Sequence, residues 1–485
     1  MTQRYEPDPR RWKAFTVTLV AGFMSLLDVS IVSVALPSIQ HGLGTTAAGV
    51  QWVVSGYALA FGLTLVPAGR LGDAIGRRTM FLAALGAFVL FSALAGLAPT
   101  TGVLVAARLA QGMAAGALAP QNSALIQQLF RGAERGRAFG FFGATVGLST
   151  AVGPVVGGVI LALAGEDDGW RWIFYVNVPI GVAALVLAAR LLPRGRGGPR
   201  GHLDLVGAAL LGAGVLALML PLVLAEAGGL ASLWWLFPIG AALLAVFVRW
   251  ERRVARRGRS PLLDIGLFTG TPGYGSGVVL GTVYFIGFSG IWLVFALYFQ
   301  SGLGYTPLQS GLAVTPFAVG SAVSAVVGGR LVETWGRRLT VTGLAMVVTG
   351  LTVTAFLLRH APPGLAGWVI APALLVAGVG GGWVISPNTT LTLRHVEVTM
   401  AGAAGGALQT GQRIGAAVGT AGLSGAYYAI LASSNHEYRL AVSLTLGLAV
   451  LSITAALAVS IYELRHRPTC PTAKDDANPP LVDHA

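Results

Sequence analysis

Fourteen times between residues 13 and 463 the chain runs through roughly twenty mostly apolar residues before a short polar break. No other feature limits the fold as strongly. A bilayer core is crossed by roughly 20 helical residues. In lipid every backbone N–H and C=O must be satisfied within the segment, so open runs of this kind can only be helices. The expected spans are 13–38, 50–69, 79–98, 102–122, 138–164, 171–192, 203–224, 232–250, 273–299, 305–330, 339–358, 365–390, 400–431 and 438–463. Gly, Pro and Thr dilute two of them, 305–330 and 400–431. Composition agrees: 54% of residues are hydrophobic and only 11% charged, against about 25% charged in soluble domains. The fold class is all-α integral membrane.

The charges then orient the spans. With the N-terminus in the cytoplasm, most of the 32 Lys and Arg fall in inner segments, among them Arg131, Arg135, Arg137 and the run from Arg249 to Arg259. Only Arg171, Arg359 and Arg439 fall outside, which satisfies the positive-inside rule with both termini cytoplasmic. The net charge of +13 is thus explained by topology, and nucleic acid is not expected as a partner. The basic N-terminal residues (Arg4, Arg10, Arg11, Lys13) precede an apolar run too long for a cleaved signal, so that run is read as an anchor. Residues 251–272 read as an amphipathic element on the inner surface, and 466–485 as a disordered cytoplasmic tail that carries the single cysteine, Cys470. Arg outnumbers Lys 30 to 2, which suggests a high-GC bacterial genome and a bacterial cytoplasmic membrane. The seven histidines are not paired at metal-ligand spacing, and no glycine-rich phosphate loop is present. Neither an enzyme nor a metal or other cofactor is expected, and the energy source should be an ion gradient.

An internal repeat divides the chain. Residues 69–78 read "GRLGDAIGRR" and 329–338 read "GRLVETWGRR". One loop follows the second span and the other the tenth. Two six-helix bundles (1–200 and 261–465) with two linking transmembrane helices between them (201–260) give that spacing. A duplicated bundle of this kind marks a secondary transporter with its site between the halves. In the first loop Gly69, Arg70, Asp73, Gly76, Arg77 and Arg78, and in the second Arg330, Glu333, Gly336, Arg337 and Arg338, are candidates for an inner gate. The arginines can reach anionic lipid headgroups, and Asp73 can pair with an arginine or with the positive end of a helix. Plain topological anchoring is the alternative.

Three charges interrupt the spans. Asp28 sits in "LLDVSIVSVALPS", where an ionisable group costs at least ~2.5 kcal/mol on insertion scales. Burial disfavours its ionised form, so it can exchange protons, and it can attract a cationic solute; competition between these uses is antiport. The alternative is a structural Asp bonded near Ser25 or Ser30. Arg108 can balance Asp28 or tune its proton release, with Gln111 on nearly the same face one turn on. Arg413, in "LQTGQRIGAAVGTAG", lies far from a helix end and has no identifiable partner. In "GLSTAVGPVVGGVI", Pro154 removes a helical hydrogen bond and kinks the helix. Gly147, Gly153, Gly157 and Gly158 permit close helix approach, which would seal the interface between the halves; small-residue packing is the bland reading. Trp52, Tyr57, Tyr284, Trp292, Tyr298 and Trp383 are candidates for cation–π contacts.

Together these motifs resemble the major facilitator superfamily, and within it the fourteen-helix drug:proton antiporters of the quaternary-ammonium-resistance type. "GRLGDAIGRR" is similar to the superfamily's loop between helices 2 and 3. "LLDVSIVSVALPSI" resembles that branch's first-helix signature, with Ser30 and Ser33 in place of its Thr and Asn. "RLAQGMAAGALAP" matches the helix-4 pattern Arg-x-x-Gln-Gly, 147–160 the antiporter pattern of helix 5, and "WRWIFYVNVPIG" the entry to helix 6. The resemblance implies a major facilitator fold with two added linking helices. It also implies a monomer exporting lipophilic, cationic drugs in exchange for protons, with the helix-4 arginine taking part in proton transfer. A dedicated exporter of an endogenous metabolite (an antibiotic, siderophore or lipid) shares the same physics. A non-transporting sensor or enzyme is disfavoured by the lack of a soluble domain or catalytic cluster.

Overall fold

A computed structural model describes residues 9–165, 168–194, 204–225 and 228–466. The expected tail falls outside these residues, as does the side chain of Pro154. The described residues form fourteen long helices: α1 Arg11–Gly42, α2 Ala47–Ile75, α3 Arg77–Gly96, α4 Thr101–Leu129, α5 Gly132–Ala164, α6 Trp170–Leu191, α7 Leu205–Val223, α8 Leu236–Arg256, α9 Tyr274–Gly302, α10 Pro307–Trp335, α11 Arg337–His360, α12 Ala366–Thr392, α13 Ala401–Ser433 and α14 Tyr438–His466. Twelve of them are long and apolar enough to cross a membrane. The other two are α5, whose described apolar run is the shorter Val155–Ala164, and α8, which carries Arg249, Glu251, Arg252, Arg253 and Arg256 toward its end.

The repeat is visible in the packing. In the first half α2 packs on α4, α3 on α4, α1 on α5, and α6 on α1 and α3. In the second half α10 packs on α12, α11 on α12, α9 on α13, and α14 on α9 and α11. Each pairing recurs eight helices later. The halves meet where α2 and α4 touch α13, and where α10 and α12 touch α5. The helices α7 and α8 pack on each other, with α7 against α2 and α13.

Local sequence sets the helix ends. Thr46 and Thr100 cap α2 and α4 by accepting from Gly49 N and Val103 N. Thr306 and Gln309 form a reciprocal capping box at α10. The chain breaks between α2 and α3 at Gly76 (φ +101°) and between α10 and α11 at Gly336 (φ +51°). Both are motif glycines at equivalent positions, in a backbone region that side-chain-bearing residues avoid. The break of α6 at Val176 starts a new segment at Asn177, and this places a buried amide in the first bundle.

Candidate functional site

A cavity of about 370 Å³ lies between the halves. The first half lines it with α1, α2, α4 and α5, the second with α9, α10, α12 and α13. Both halves supply polar groups, among them Ser25, Ser30, Asn122 and Ser123 from the first and Ser289, Ser321, Ser386 and Thr389 from the second. Phe61, Phe139 and Phe142 line it from the first half, and an aromatic wall of Phe285, Phe288, Trp292 and Phe317 from the second. Within that wall the Trp292 and Phe317 ring centroids are 4.9 Å apart and those of Phe288 and Trp292 5.5 Å. The stripe Gln409, Gln412, Arg413 and Ala416 faces the cavity from α13, as helical spacing requires.

Asp28 is fully buried and does not line this cavity. It lies inside the first bundle, while its α1 neighbours Ser25 and Val29 line the cavity. Arg108 Nη1 donates to Asp28 Oδ2 at 2.5 Å. Gln111 Nε2 and Asn177 Nδ2 donate to Oδ1 at 3.1 and 3.0 Å. Arg108 is held in turn: Nη1 also donates to Gln111 Oε1 and Nε to the Val53 carbonyl. Its guanidinium carbon sits 4.1 Å from the centre of the Tyr57 ring. Tyr57 donates its hydroxyl to the Ser25 carbonyl at 3.1 Å. The structure thus joins Asp28, Arg108 and Gln111 as the sequence suggested. It leaves Arg413 apart from them, and it corrects the expectation that Asp28 meets cargo directly. A buried carboxylate with three donors is neutralised in place. Sequence reasoning missed Asn177; its one visible signal was an amide within "YVNVP" at the start of an apolar run.

The repeated loops occupy one end of the molecule, and there the halves are closed. Asp73 accepts from Gly402 N with both oxygens (3.1 and 3.0 Å) and from Ala403 N (3.1 Å), at the start of α13. Arg77 braces it at 3.2 Å and reaches the carbonyls of Ala124 and Val398. A Cβ on Gly69 would stand 2.2 Å from the Gly402 carbonyl oxygen, so backbones touch there. In the second loop Glu333 pairs with Arg394 at 3.1 Å within its own half, while Arg337 donates to Asn388 and Glu463. Arg78 donates to the Ala189 carbonyl at 2.5 Å. Arg330 and Arg338 are exposed and Arg70 partly so.

The α5 motif is placed differently from expectation. A Cβ on Gly153 would fall 1.7 Å from Ser30 Oγ, and one on Gly157 3.1 Å from Ile31; both glycines pack on α1 within their own half. A Cβ on Gly158 would meet nothing within 4 Å among the described residues. Gly147 lines the cavity opposite Ser321. The close contact between halves on α5 is made by Gly136 and Gly140 against Ala325 and Gly329; Gly329 opens the repeated loop, while the sequence reading passed over Gly136 and Gly140. Of the aromatic candidates, Trp292 alone lines the cavity among the described residues.

Comparison with known proteins identifies the family. The family model described as Major Facilitator Superfamily matches residues 18–207, 205–420 and 277–483. The chain is 37% identical to the puromycin resistance protein pur8 of Streptomyces alboniger, over 95% of this chain and 93% of that one. It is 30% identical to the tetracenomycin C resistance and export protein of Streptomyces glaucescens, over 85% and 75%. It is 32% identical to the multidrug resistance protein Stp of Mycobacterium tuberculosis, over 85% and 75%. Among solved structures it is similar to the human organic anion transporter MFSD10 (TETRAN), with a TM-score of 0.67 and 16% identity over 93% of this chain and all of that one. It is also similar to the proton:xylose symporter XylE, with a TM-score of 0.63 and 15% identity over 92% and 95%. The last two establish the fold. The chain belongs to the major facilitator superfamily and is a multi-pass membrane protein.

Proposed function

We propose that this superfamily member exports drugs or antibiotics from a bacterial cell in exchange for protons, with fourteen spans, two of them linking, and both termini in the cytoplasm. Export is supported by the relatives, which carry names of antibiotic and multidrug resistance proteins. A fourteen-span topology is supported by the eight-helix recurrence of the packing and by the basic loops at one end. That end is then cytoplasmic, and the Asp73 contacts to α13 close it.

One observation carries the coupling: the fully buried Asp28 held by Arg108, Gln111 and Asn177. A proton arriving on Asp28 removes the charge that balances Arg108. Removing one member of a buried pair costs about 3–5 kcal/mol, so the arrangement of α1, α4 and α6 must change with protonation. The change reaches the cavity by two short paths. Ser25 and Val29 flank Asp28 on α1 and line the cavity. Tyr57 stacks on Arg108 and holds the Ser25 carbonyl. The proton site and the cargo site are therefore adjacent and separate. Each proton moving down the membrane potential releases ~2.3 kcal/mol per 100 mV, which suffices to shift such an equilibrium about 50-fold.

The test is efflux in everted vesicles under an imposed proton gradient, with antibiotics and dyes as cargo. The Asp28→Asn variant should insert normally and lose gradient-driven transport by tenfold or more. Undiminished transport of every compound would sink the assignment. A dedicated antibiotic exporter is a second reading, favoured by the similarity to the tetracenomycin C resistance and export protein. Resistance to a narrow group of chemically related compounds, in place of a broad panel, would select it.

A further inference from the structure

The cavity carries a charge, and its sign is wrong for a cation. Within the two bundles three charged side chains stand in the middle turns of spans: Asp28, Arg108 and Arg413. The first two cancel in a buried pair. Arg413 faces the cavity from α13. Its guanidinium lies 4.3 Å from the centre of the Phe61 ring, and no carboxylate or carbonyl partners it among the described residues. A partly buried guanidinium without an anion is costly to hold. Its planar fork is suited to a carboxylate, which it binds with two parallel hydrogen bonds.

Other groups around it fit the same ligand. The Gln412 amide lines the cavity beside Arg413 and has no hydrogen-bond partner among the described residues. The Ser386 hydroxyl and the Asn122 Oδ1 also line it, and both are buried with no hydrogen-bond partner among the described residues. These four supply donors for an anion and one acceptor for a hydroxyl. The cavity also holds the Phe288, Trp292 and Phe317 cluster, whose faces and edges accept a flat ring.

We infer that the cargo is a flat aromatic compound bearing a carboxylate or similar anion, held by Arg413 and Gln412 with its rings against the Phe288–Trp292–Phe317 wall. The inference rests on the export reading and deepens it, and it replaces the cationic cargo expected from a cavity-lining Asp28. It has an electrical consequence. One proton entering for one monovalent anion leaving moves two positive charges inward, whereas exchange for a monovalent cation moves none. An anion exporter of this design is driven twice over by an inside-negative potential.

Two tricyclic dyes of equal size and opposite charge test it: 9-anthracenecarboxylate and 9-aminoacridine. Binding is measured by fluorescence titration of the full chain in lipid nanodiscs with no gradient present. The carboxylate should bind at least tenfold more tightly than the amine. Arg413→Gln should erase that preference, and Arg413→Lys, which keeps the charge, should retain most of it. Preference for the amine, binding of neither dye, or an unchanged preference in Arg413→Gln would each overturn the inference. The export reading is tested apart from it, by proton-driven movement of 9-anthracenecarboxylate in everted vesicles. Arg413-dependent binding without movement would sink export and leave the anion site standing. Proton-driven movement of ethidium with no binding of the carboxylate would do the reverse.

Discussion

The loops 69–78 and 329–338 share a pattern and an architecture but make different contacts. Each opens on a glycine that touches a glycine of the other half: Gly69 meets Gly402 on α13, and Gly329 meets Gly136 on α5. The arginine that begins the helix after each loop turns inward, Arg77 toward Gln128 and Arg337 toward Asn388, 51 residues on in both cases. The acids then part company. Asp73 crosses to the start of α13, while Glu333 stays with Arg394 in its own half. The facing helices explain this. The first turn of α13, "AGAA", contains no acid, so its free N–H groups donate to Asp73. The first turn of α5 already holds Glu134, paired with Arg11 at 2.9 Å. A helix N-terminus favours a carboxylate by about 0.3–1 kcal/mol, and a second one there is repelled by the first. The two crossings thus share their glycine contacts, and only one of them is also a charged latch.

The strongest way to break this comparison is at what the crossings share. A Cβ on Gly402 would lie 2.4 Å from the Gly69 carbonyl oxygen, and one on Gly329 2.4 Å from the Gly136 carbonyl oxygen. Backbone atoms cannot step aside as a side chain can, so Gly402→Val and Gly329→Val should both stop closure and cut vesicle transport by tenfold or more. Normal transport in either variant would show that its crossing does not close in the cycle. A smaller effect separates the two loops. Asp73→Asn removes the charge from three backbone hydrogen bonds, worth about 2 kcal/mol in total, or roughly 30-fold in the open population. Hydrogen exchange of residues 398–408 should quicken to match. Glu333→Gln touches only a partly exposed pair, where about 0–1 kcal/mol is expected, and exchange at the start of α5 should change less than twofold. Equal effects from the two substitutions would dissolve the asymmetry.

These contacts also mark how far the sequence was legible. The helices, the repeat and the partnership of Asp28 with Arg108 and Gln111 were readable, because length, periodicity and the cost of a buried charge act within or between obvious segments. The position of Asp28 relative to the cavity was not. Which side of α1 faces α4 and which faces the second half is set by packing at Gly153 and Gly157, and all four sides of that helix are nearly equally apolar. The glycines that join the halves were hidden for a similar reason. Among 68 glycines, nothing local distinguishes Gly136 or Gly402 from one that faces lipid. Arg413 was visible as a charge, but its lack of a carboxylate or carbonyl partner among the described residues is a property of the assembled cavity alone.

The smallest expected effect concerns the acid that keeps Glu333 from α5. Glu134 lies in the first turn of α5, ahead of the 138–164 span, and two hydrogen bonds from Arg11 (3.1 and 2.9 Å) hold its carboxyl below the usual carboxylate range. A lowered value in the folded state means that the pair stabilises the protein above the unfolded-state value, near 4.3 for a glutamate. That contribution fades as pH falls through the lower folded-state value. Both side chains are partly exposed, at 18% and 35%, so solvent screening limits the gain to well under about 1 kcal/mol. Arg11→Ala should therefore lower the melting temperature only slightly at pH 7. The gap between variant and wild type should narrow as the pH is brought down through 4, and thermal melts of the full chain in nanodiscs across that range would measure it. A gap that widens on acidification would mean that Glu134 is held by something other than Arg11. The account of why α5 refuses a second carboxylate would then need a different occupant at its first turn.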